Sequence, residues 1–519
     1  LLGLDSKIRG RRLWGTAAII FVLALILRLP GYSDQPVMPD ELNFFQPYAY
    51  SIIAWGWQWP VKYMYIHPPL YPYILALATV LAGGSLEVLR LSSVLFASLT
   101  PVFLFLLGRE LYGWRAGLLG ALLLCFSSFH ILYSRVLMLE APLICFLTAG
   151  LYLFARSLRE REVSWYAFGA GIVMGLAIIT KWIAVLYAPA LLLFLALTKR
   201  SLRGLLDRRV GLVFIISGLV ALPCFADLWL HGVNPVNRNL GIGTPPVVRL
   251  VGFEETLTVD LVMRGLGNYI DMTVDAASQA AGMIPWQGAL TLIAGVIFFL
   301  TMANAIYGSF KGKGSDALLF SIFVVLNGFV AIYGKRFQYY LVWTLPTYLL
   351  LASATLMDLI GSAANSKAIP KMVGLSGLAV GSVFLTSVLA IGMLAPFANG
   401  GPSSGLEAQV LAMRPRIQPR DTVAASLPES VNHYLEEFGF EPFRNNIVVV
   451  PLNKRYLSPL GFVEELDMDI VLFFQPRFIL TNRYYYDSLA GSAEVRAINE
   501  HYRLVSEIDE NMLFERAAR

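Results

Sequence analysis

Charge is what this chain has least of. Only 14% of its 519 residues are Asp, Glu, Lys or Arg, where a soluble domain carries about 25%. With 57% hydrophobic residues, an ordinary water-soluble protein is excluded, and most of the chain must be solvated by lipid. Cysteine is nearly absent. Cys125, Cys145 and Cys224 all lie in apolar runs and read as small buried hydrophobes, which excludes a disulfide framework and a zinc site. No Gly-x-x-x-x-Gly-Lys-Ser/Thr loop occurs, so the chain carries no obvious nucleotide site. Basic residues outnumber acidic ones, 40 to 35. They form no Lys/Arg-rich run with interleaved aromatics, which argues against nucleic acid as a partner.

What is present is a series of apolar runs. A helix needs about 20 apolar residues to cross a bilayer. Runs of that kind cover 13–30, 88–108, 115–132, 140–157, 164–181, 183–198, 210–230, 287–309, 317–333, 338–358 and 372–396. The sequence therefore predicts a polytopic all-α membrane protein of about eleven spans. The first run follows Lys7, Arg9, Arg11 and Arg12 and is followed by no small-x-small cleavage pattern, so it reads as an uncleaved anchor. One further stretch, 69–83, is short and opens at two prolines. Treated as re-entrant or interfacial, it leaves Lys and Arg concentrated in the loops on the N-terminal side of the membrane. Treated as a span, it scatters them. The first arrangement puts the N-terminus in the cytoplasm and the C-terminus outside a plasma (inner) membrane.

That arrangement gathers the loop 31–87, the loop 231–286 and several charged residues on one outer face. The membrane part is expected to run over 1–398. Asn399-Gly400-Gly401-Pro402-Ser403-Ser404-Gly405 reads as a linker. Residues 406–519 have ordinary polarity and are expected to form a small soluble α/β domain. Strands are predicted at 422–426, 446–450 and 478–481, helices at 428–438 and 460–474, and a closing hairpin from 502–505 and 512–514.

The chemistry-bearing residues lie on the outer face. Asp40 and Glu41 are adjacent carboxylates in the first outer loop, costly beside lipid and suited to taking a proton from a hydroxyl. Pro39 before them also favours a helix start, where acids suit the dipole. Tyr65-Ile66-His67-Pro68-Pro69-Leu70 follows, holding His67 at the water–lipid boundary, where it could donate to a phosphate or orient a carboxylate. Arg135 and Glu140 bracket an apolar run, as an ion pair or as substrate ligands. Lys181 separates two apolar runs, and Lys335-Arg336 with Tyr339-Tyr340 makes a second basic outer cluster. Cations so placed suit a phosphate-bearing lipid or snorkel to headgroups. Glu140, Tyr65 and Tyr340 read as substrate-positioning residues.

Asp40-Glu41, His67-Pro68-Pro69-Leu70 and Arg135 with an acid five residues on together resemble the protein O-mannosyltransferase family. The resemblance extends to the lipid A aminoarabinose transferases and other glycosyltransferases of the GT-C fold. It is strongest over 28–200, and the segment from Arg336 to Pro346 resembles a late-helix pattern of the same group. The chain departs from it in two ways. The loop 231–286 is too short for the β-trefoil domain of eukaryotic members, and His67 stands where the aminoarabinose transferases have Lys.

The resemblance implies inverting transfer of a sugar, mannose or a related one, from a polyprenyl-phosphate carrier to an acceptor hydroxyl on protein, lipid or glycan. Asp40 would be the base and Glu41 would position it or the acceptor. His67, Arg135, Lys181 and Arg336 would hold the donor phosphate. No cofactor is required by the sequence. A divalent ion, Mg²⁺ or Mn²⁺, could sit on Asp40, Glu41 and Glu140. An oligosaccharide ligase using a lipid diphosphate donor is the alternative. A lipid-linked sugar transporter fits less well, since the two halves show no internal repeat.

Overall fold

A computed structural model of the chain describes residues 10–33, 35, 41, 45–55, 68–160, 164–199, 207–230, 287–333, 338–365, 405–418, 421–425, 448–451, 453–458, 461–466, 476–482, 493–508 and 511–517. The membrane part is helical. In chain order it comprises α1 (Arg11–Arg28), α2 (Gln46–Trp55), α3 (Leu70–Ala82), α4 (Leu86–Tyr112), α5 (Trp114–Cys125), α6 (Ser128–Ser134) and α7 (Glu140–Ser157). Then come α8 (Trp165–Ile178), a 3₁₀ turn (Trp182–Leu186) running into α9 (Tyr187–Lys199), α10 (Arg208–Leu230), α11 (Gln287–Phe310) and α12 (Gly314–Tyr333). A second 3₁₀ turn (Gln338–Trp343) leads into α13 (Leu345–Asn365).

Each apolar run up to residue 358 forms helix, with two corrections. The run 115–132 is broken: α5 and α6 meet at a bend of 59°. Phe126 and Ser127 interrupt it because Ser127 Oγ accepts from the backbone N–H of His130 and so caps a new helix. The runs 183–198 and 338–358 begin as 3₁₀ turns, and their α-helices start at Tyr187 and Leu345. The expected span 372–396 lies outside the described residues. Among those residues Leu86–Tyr112, Arg208–Ala226 and Gly314–Ala331 are each long and apolar enough to cross a membrane alone, and α5 with α6 makes a fourth if counted as one span. The short helix α3 has 13 residues. At 1.5 Å per residue that is about 20 Å, short of a hydrocarbon core of about 30 Å.

Small residues let the helices approach closely, as expected where lipid supplies no hydrophobic drive between them. A Cβ on Gly108 of α4 would lie 2.5 Å from Gly117 Cα of α5. On the other flank α8 meets α10, where a Cβ on Gly175 would lie 2.6 Å from Val220 Cβ. Outward-facing side chains such as Ile19, Leu81, Ile215 and Phe299 are exposed and apolar, as a lipid-facing surface requires.

The C-terminal part is α/β. Its main strands are β1 (Thr422–Ala425), β2 (Val448–Pro451), β5 (Phe478–Asn482), β6 (Tyr502–Ile508) and β7 (Asn511–Arg516), with α15 (Ala493–His501) leading into β6. They form a five-stranded sheet of order β2-β1-β5-β7-β6, on which helix α14 (Gly405–Met413) packs. Strand β1 runs parallel to β2 and β5, and β7 runs antiparallel to β5 and β6. The hairpin expected at 502–514 is present. The helix expected over 460–474 is corrected in part: residues 461–466 form strand β4 (Gly461–Leu466), antiparallel to β3 (Asn453–Ser458), and the rest of that range lies outside the described residues. The β3–β4 register sets Lys454 opposite Glu465 and Arg455 opposite Glu464. The helix expected at 428–438 lies outside the described residues, as does the linker apart from Gly405, which opens α14.

Candidate functional site

The site is built from the ends of α3, α4, α7 and α8 that meet at one end of the bundle. Glu41 is fully buried. Its Oε1 accepts from Arg90 Nε at 2.8 Å and its Oε2 from Arg90 Nη2 at 2.7 Å. Oε1 also accepts from the backbone N–H of Leu137 at 2.6 Å. Arg90, 1% exposed and in the second turn of α4, donates through Nη1 to the carbonyls of Gln35, Tyr32 and Ser33. One guanidinium thus laces the first loop to α4, and one carboxylate ties that loop to the segment after Arg135. Breaking a buried pair of this kind costs about 3–5 kcal/mol, because the surviving charge is left unpaired.

Lys181 sits in the break between α8 and the 3₁₀ turn, in extended conformation. Its Nζ lies 2.5 Å from Oε1 of Glu140, the first residue of α7. The same ammonium stands 5.3 Å from the Tyr340 ring centroid and 5.0 Å from that of Trp343. The two rings are 4.4 Å apart. Within about 6 Å, such faces attract a cation. Helix α3 is pinned to this break, since the backbone N–H of Leu70 donates to Ile179 O at 3.0 Å. Pro68, the residue bonded to His67, is buried there. Tyr71 then docks α3 on α4 through Ser92 at 3.1 Å and Ser93 at 2.6 Å.

Arg135 follows α6 and is 1% exposed. Nε donates to Arg28 O and Nη2 to Leu27 O, both at 3.3 Å. These carbonyls end α1, so the cation caps a helix C-terminus, which suits the dipole. Arg28 repeats the device. Fully buried, it donates to the carbonyls of Leu124 and Cys125 at the end of α5 and lies 2.9 Å from His130 Nδ1.

Of the residues expected from sequence, Glu140, Lys181 and Tyr340 therefore converge, and Glu41 and Arg135 flank the same segment, 135–140. Asp40, Tyr65, His67 and Arg336 lie outside the described residues. Of the two readings of Arg135 and Glu140, the mutual ion pair is not the one seen: Glu140 pairs with Lys181. Sequence reasoning missed Arg90, Arg28 and His130. Charged residues inside apolar runs are the signal that could have found them. Of the three carboxylates considered for a divalent ion, Asp40 lies outside the described residues, Glu41 is bidentate on Arg90 and Glu140 is paired with Lys181.

The architecture is the GT-C fold of integral membrane glycosyltransferases. It resembles ArnT of Cupriavidus metallidurans, solved bound to undecaprenyl phosphate, with a TM-score of 0.53 and 16% identity over 98% of this chain and 97% of that one. It also resembles the oligosaccharyltransferase AglB of Archaeoglobus fulgidus, solved with an inhibitory peptide and a dolichol-phosphate, with a TM-score of 0.53 and 14% identity over 94% and 72%. Within that class, residues 66–230 match the family described as dolichyl-phosphate-mannose-protein mannosyltransferase. A polyprenol-phosphate-mannose–protein mannosyltransferase of Mycolicibacterium smegmatis is 24% identical over 301 residues, 49% of this chain. The match spans 56% of that relative's length. Arg90, Arg135, Glu140 and Lys181 all lie inside the family-matched segment.

Proposed function

We propose that the protein is an inverting glycosyltransferase that moves a sugar, mannose or a related one, from a polyprenyl-phosphate carrier to a hydroxyl of a protein acceptor. The observation that carries this reading is the Lys181 ammonium between Glu140, Tyr340 and Trp343, where α3 begins. It is one cation on an apolar, aromatic floor at the end of a helix bundle, suited to a lipid-borne phosphate.

The carrier enters laterally from the bilayer. Lys181, joined by His67 and Arg336, offsets the negative charge that grows on the departing phosphate as the anomeric C–O bond breaks. Asp40 accepts the acceptor's hydroxyl proton while the oxygen attacks the opposite face of the anomeric carbon. Single displacement needs no covalent intermediate and inverts the centre. Glu41, engaged by Arg90, acts by fixing the backbone next to Asp40. Arg135 acts in the same indirect way, holding α1 beside the segment 135–140. The donor's single phosphate is matched by side-chain cations. The N-terminus faces the cytoplasm and the site faces outward across a plasma (inner) membrane, as the distribution of Lys and Arg favours.

In this reading the C-terminal domain presents the acceptor. Leu86, which opens α4 one turn before Arg90, packs against the domain's core of Val410, Met413 and Phe478. The similarity to AglB supports a second reading, an oligosaccharide ligase with a lipid diphosphate donor.

The test is transfer of radiolabelled sugar from synthetic polyprenyl-phosphate mannose to membranes lacking this protein, with wild type compared to Asp40→Asn. Label in a protein fraction with wild type alone supports the proposal. Transfer only from a lipid-diphosphate oligosaccharide moves the function to the ligase. Equal transfer by Asp40→Asn removes the base assignment.

A further inference from the structure

The end of the bundle away from the candidate site carries a second cluster of charge. Glu140 opens α7 and Arg156 lies in its last turn, so the two ends are separated by roughly 24 Å at 1.5 Å per residue. There Glu110, at the end of α4 and 1% exposed, is surrounded by three guanidinium groups. Arg109 lies at 3.1 Å, Arg156 at 3.3 Å and Arg159 at 3.0 Å. Arg209 of α10 ties the next segment down by donating to the Glu160 carbonyl at 2.5 Å. Three guanidinium groups on one carboxylate leave positive charge over. Arg156 and Arg159 are 32% and 22% exposed, so that charge reaches the surface.

Beside the cluster is an open cleft of about 480 Å³ lined by Glu160, Ser164, Trp165, Tyr166, Phe168 and Leu212. Its rim is aromatic. Trp165 is 84% exposed and meets Phe168 edge-on at 5.7 Å. Arg156 lies over the Tyr166 ring at 5.4 Å. Ser164 Oγ, beside the cleft, is buried with no hydrogen-bond partner among the described residues. Exposed Trp and Tyr belong at headgroup depth. The cleft itself is lined by one carboxylate, Glu160, and no cation; the arginines stand at its edge, Arg156 over Tyr166, where basic groups between membrane helices attract anionic headgroups.

We infer that this cleft is a binding site for an anionic phospholipid, with the phosphate against Arg156 and Arg159 and the glycerol backbone against Trp165 and Tyr166. Glu110 holds the arginines in place so that their remaining charge faces the lipid. A phosphate there offsets that charge, and acyl chains descend along the exposed apolar flank of α8. The site is independent of the proposed transfer reaction, since it lies at the opposite end of α7 from Glu140 and Lys181.

The experiment is thermal unfolding of the full chain in detergent, titrated with phosphatidylglycerol, phosphatidylcholine or soluble glycerol phosphate. Native mass spectrometry of the same samples counts retained lipid. Phosphatidylglycerol is expected to raise the Tm of wild type by several degrees and to stay bound, as selective binding to the folded state requires. Phosphatidylcholine is expected to do neither. Arg156→Gln is expected to lose both effects, while Lys311→Gln, a basic residue elsewhere in the helical part, keeps them. Should Arg156→Gln not fold, Trp165→Ala, a surface change, carries the same expected loss. Equal shifts with phosphatidylcholine, or an undiminished phosphatidylglycerol shift in Arg156→Gln, would overturn the site. An equal rise with glycerol phosphate alone would make it a soluble-anion site and overturn the lipid assignment.

Discussion

Arg90 decides more of the site's shape than any residue that sequence reasoning selected. It is one side chain, yet it holds Glu41 and three carbonyls of the first loop. Arg90→Gln should lower stability by about 3–5 kcal/mol, because Glu41 is left buried without its cation. Adding Glu41→Gln should recover part of that loss but not transfer activity. Comparing Tm with sugar transfer for the two variants separates the structural loss from the positional one. Lys181 gives the opposite pattern. Lys181→Met should cost about 10²–10³-fold in kcat if the cation stabilises charge on the leaving phosphate. The double variant Lys181→Met/Glu140→Gln should regain stability and stay slow. A double variant as fast as wild type would reduce Lys181 to a structural ion pair.

At the scale of elements, the apolar runs were legible because lipid leaves a helix no alternative for its backbone polar groups. The breaks were harder to read. Lys181 marked one in the sequence, a cation between two runs. The α5–α6 bend had only Ser127, one hydroxyl among many. Strand β4 falls where a helix is expected because Glu464, Glu465 and Leu466 favour helix locally, while strand pairing is a property of two segments together. Close helix approach was not legible either, since a glycine inside an apolar run looks the same wherever it faces. It makes a sharp prediction. Gly117→Val should clash with the α4 backbone, as a Cβ there already lies 2.6 Å from Phe105 O. Overpacking of this kind costs about 1–3 kcal/mol, read as a lower Tm in detergent. Gly211→Val, at a position with open space around it, should leave Tm unchanged.

The C-terminal domain adds a pH dependence of its own. Tyr502 is buried, its hydroxyl donates to Pro476 O at 2.9 Å, and burial pushes its pKa up to about 12. A phenol raised above its unfolded value of about 10 contributes stability that is fully present below pH 10. That contribution is lost as pH rises from about 10 toward 12. Tyr502→Phe should flatten the alkaline limb of the unfolding curve while lowering stability at neutral pH by about 1 kcal/mol, the net value of one hydrogen bond.

At the scale of the whole molecule, the proposed face of the reaction is open to a direct test. The proposed site, α3 and the Leu86 contact with the C-terminal domain lie at one end of the bundle, and the arginine cluster around Glu110 lies at the other. The proposed orientation, which rests on the positive-inside rule, would put the arginine-rich end in the cytoplasm and the domain and the site outside. Cysteine labelling can read this directly, because Cys125, Cys145 and Cys224 are all buried. In intact cells a membrane-impermeant maleimide should label Gln418→Cys, an exposed position in the domain, and should not label Arg208→Cys at the exposed start of α10. Both should label once the membrane is opened with detergent. The reverse pattern in intact cells would turn the molecule over. The site would then face the cytoplasm, and a lipid-phosphate donor would have to be presented from the inner leaflet.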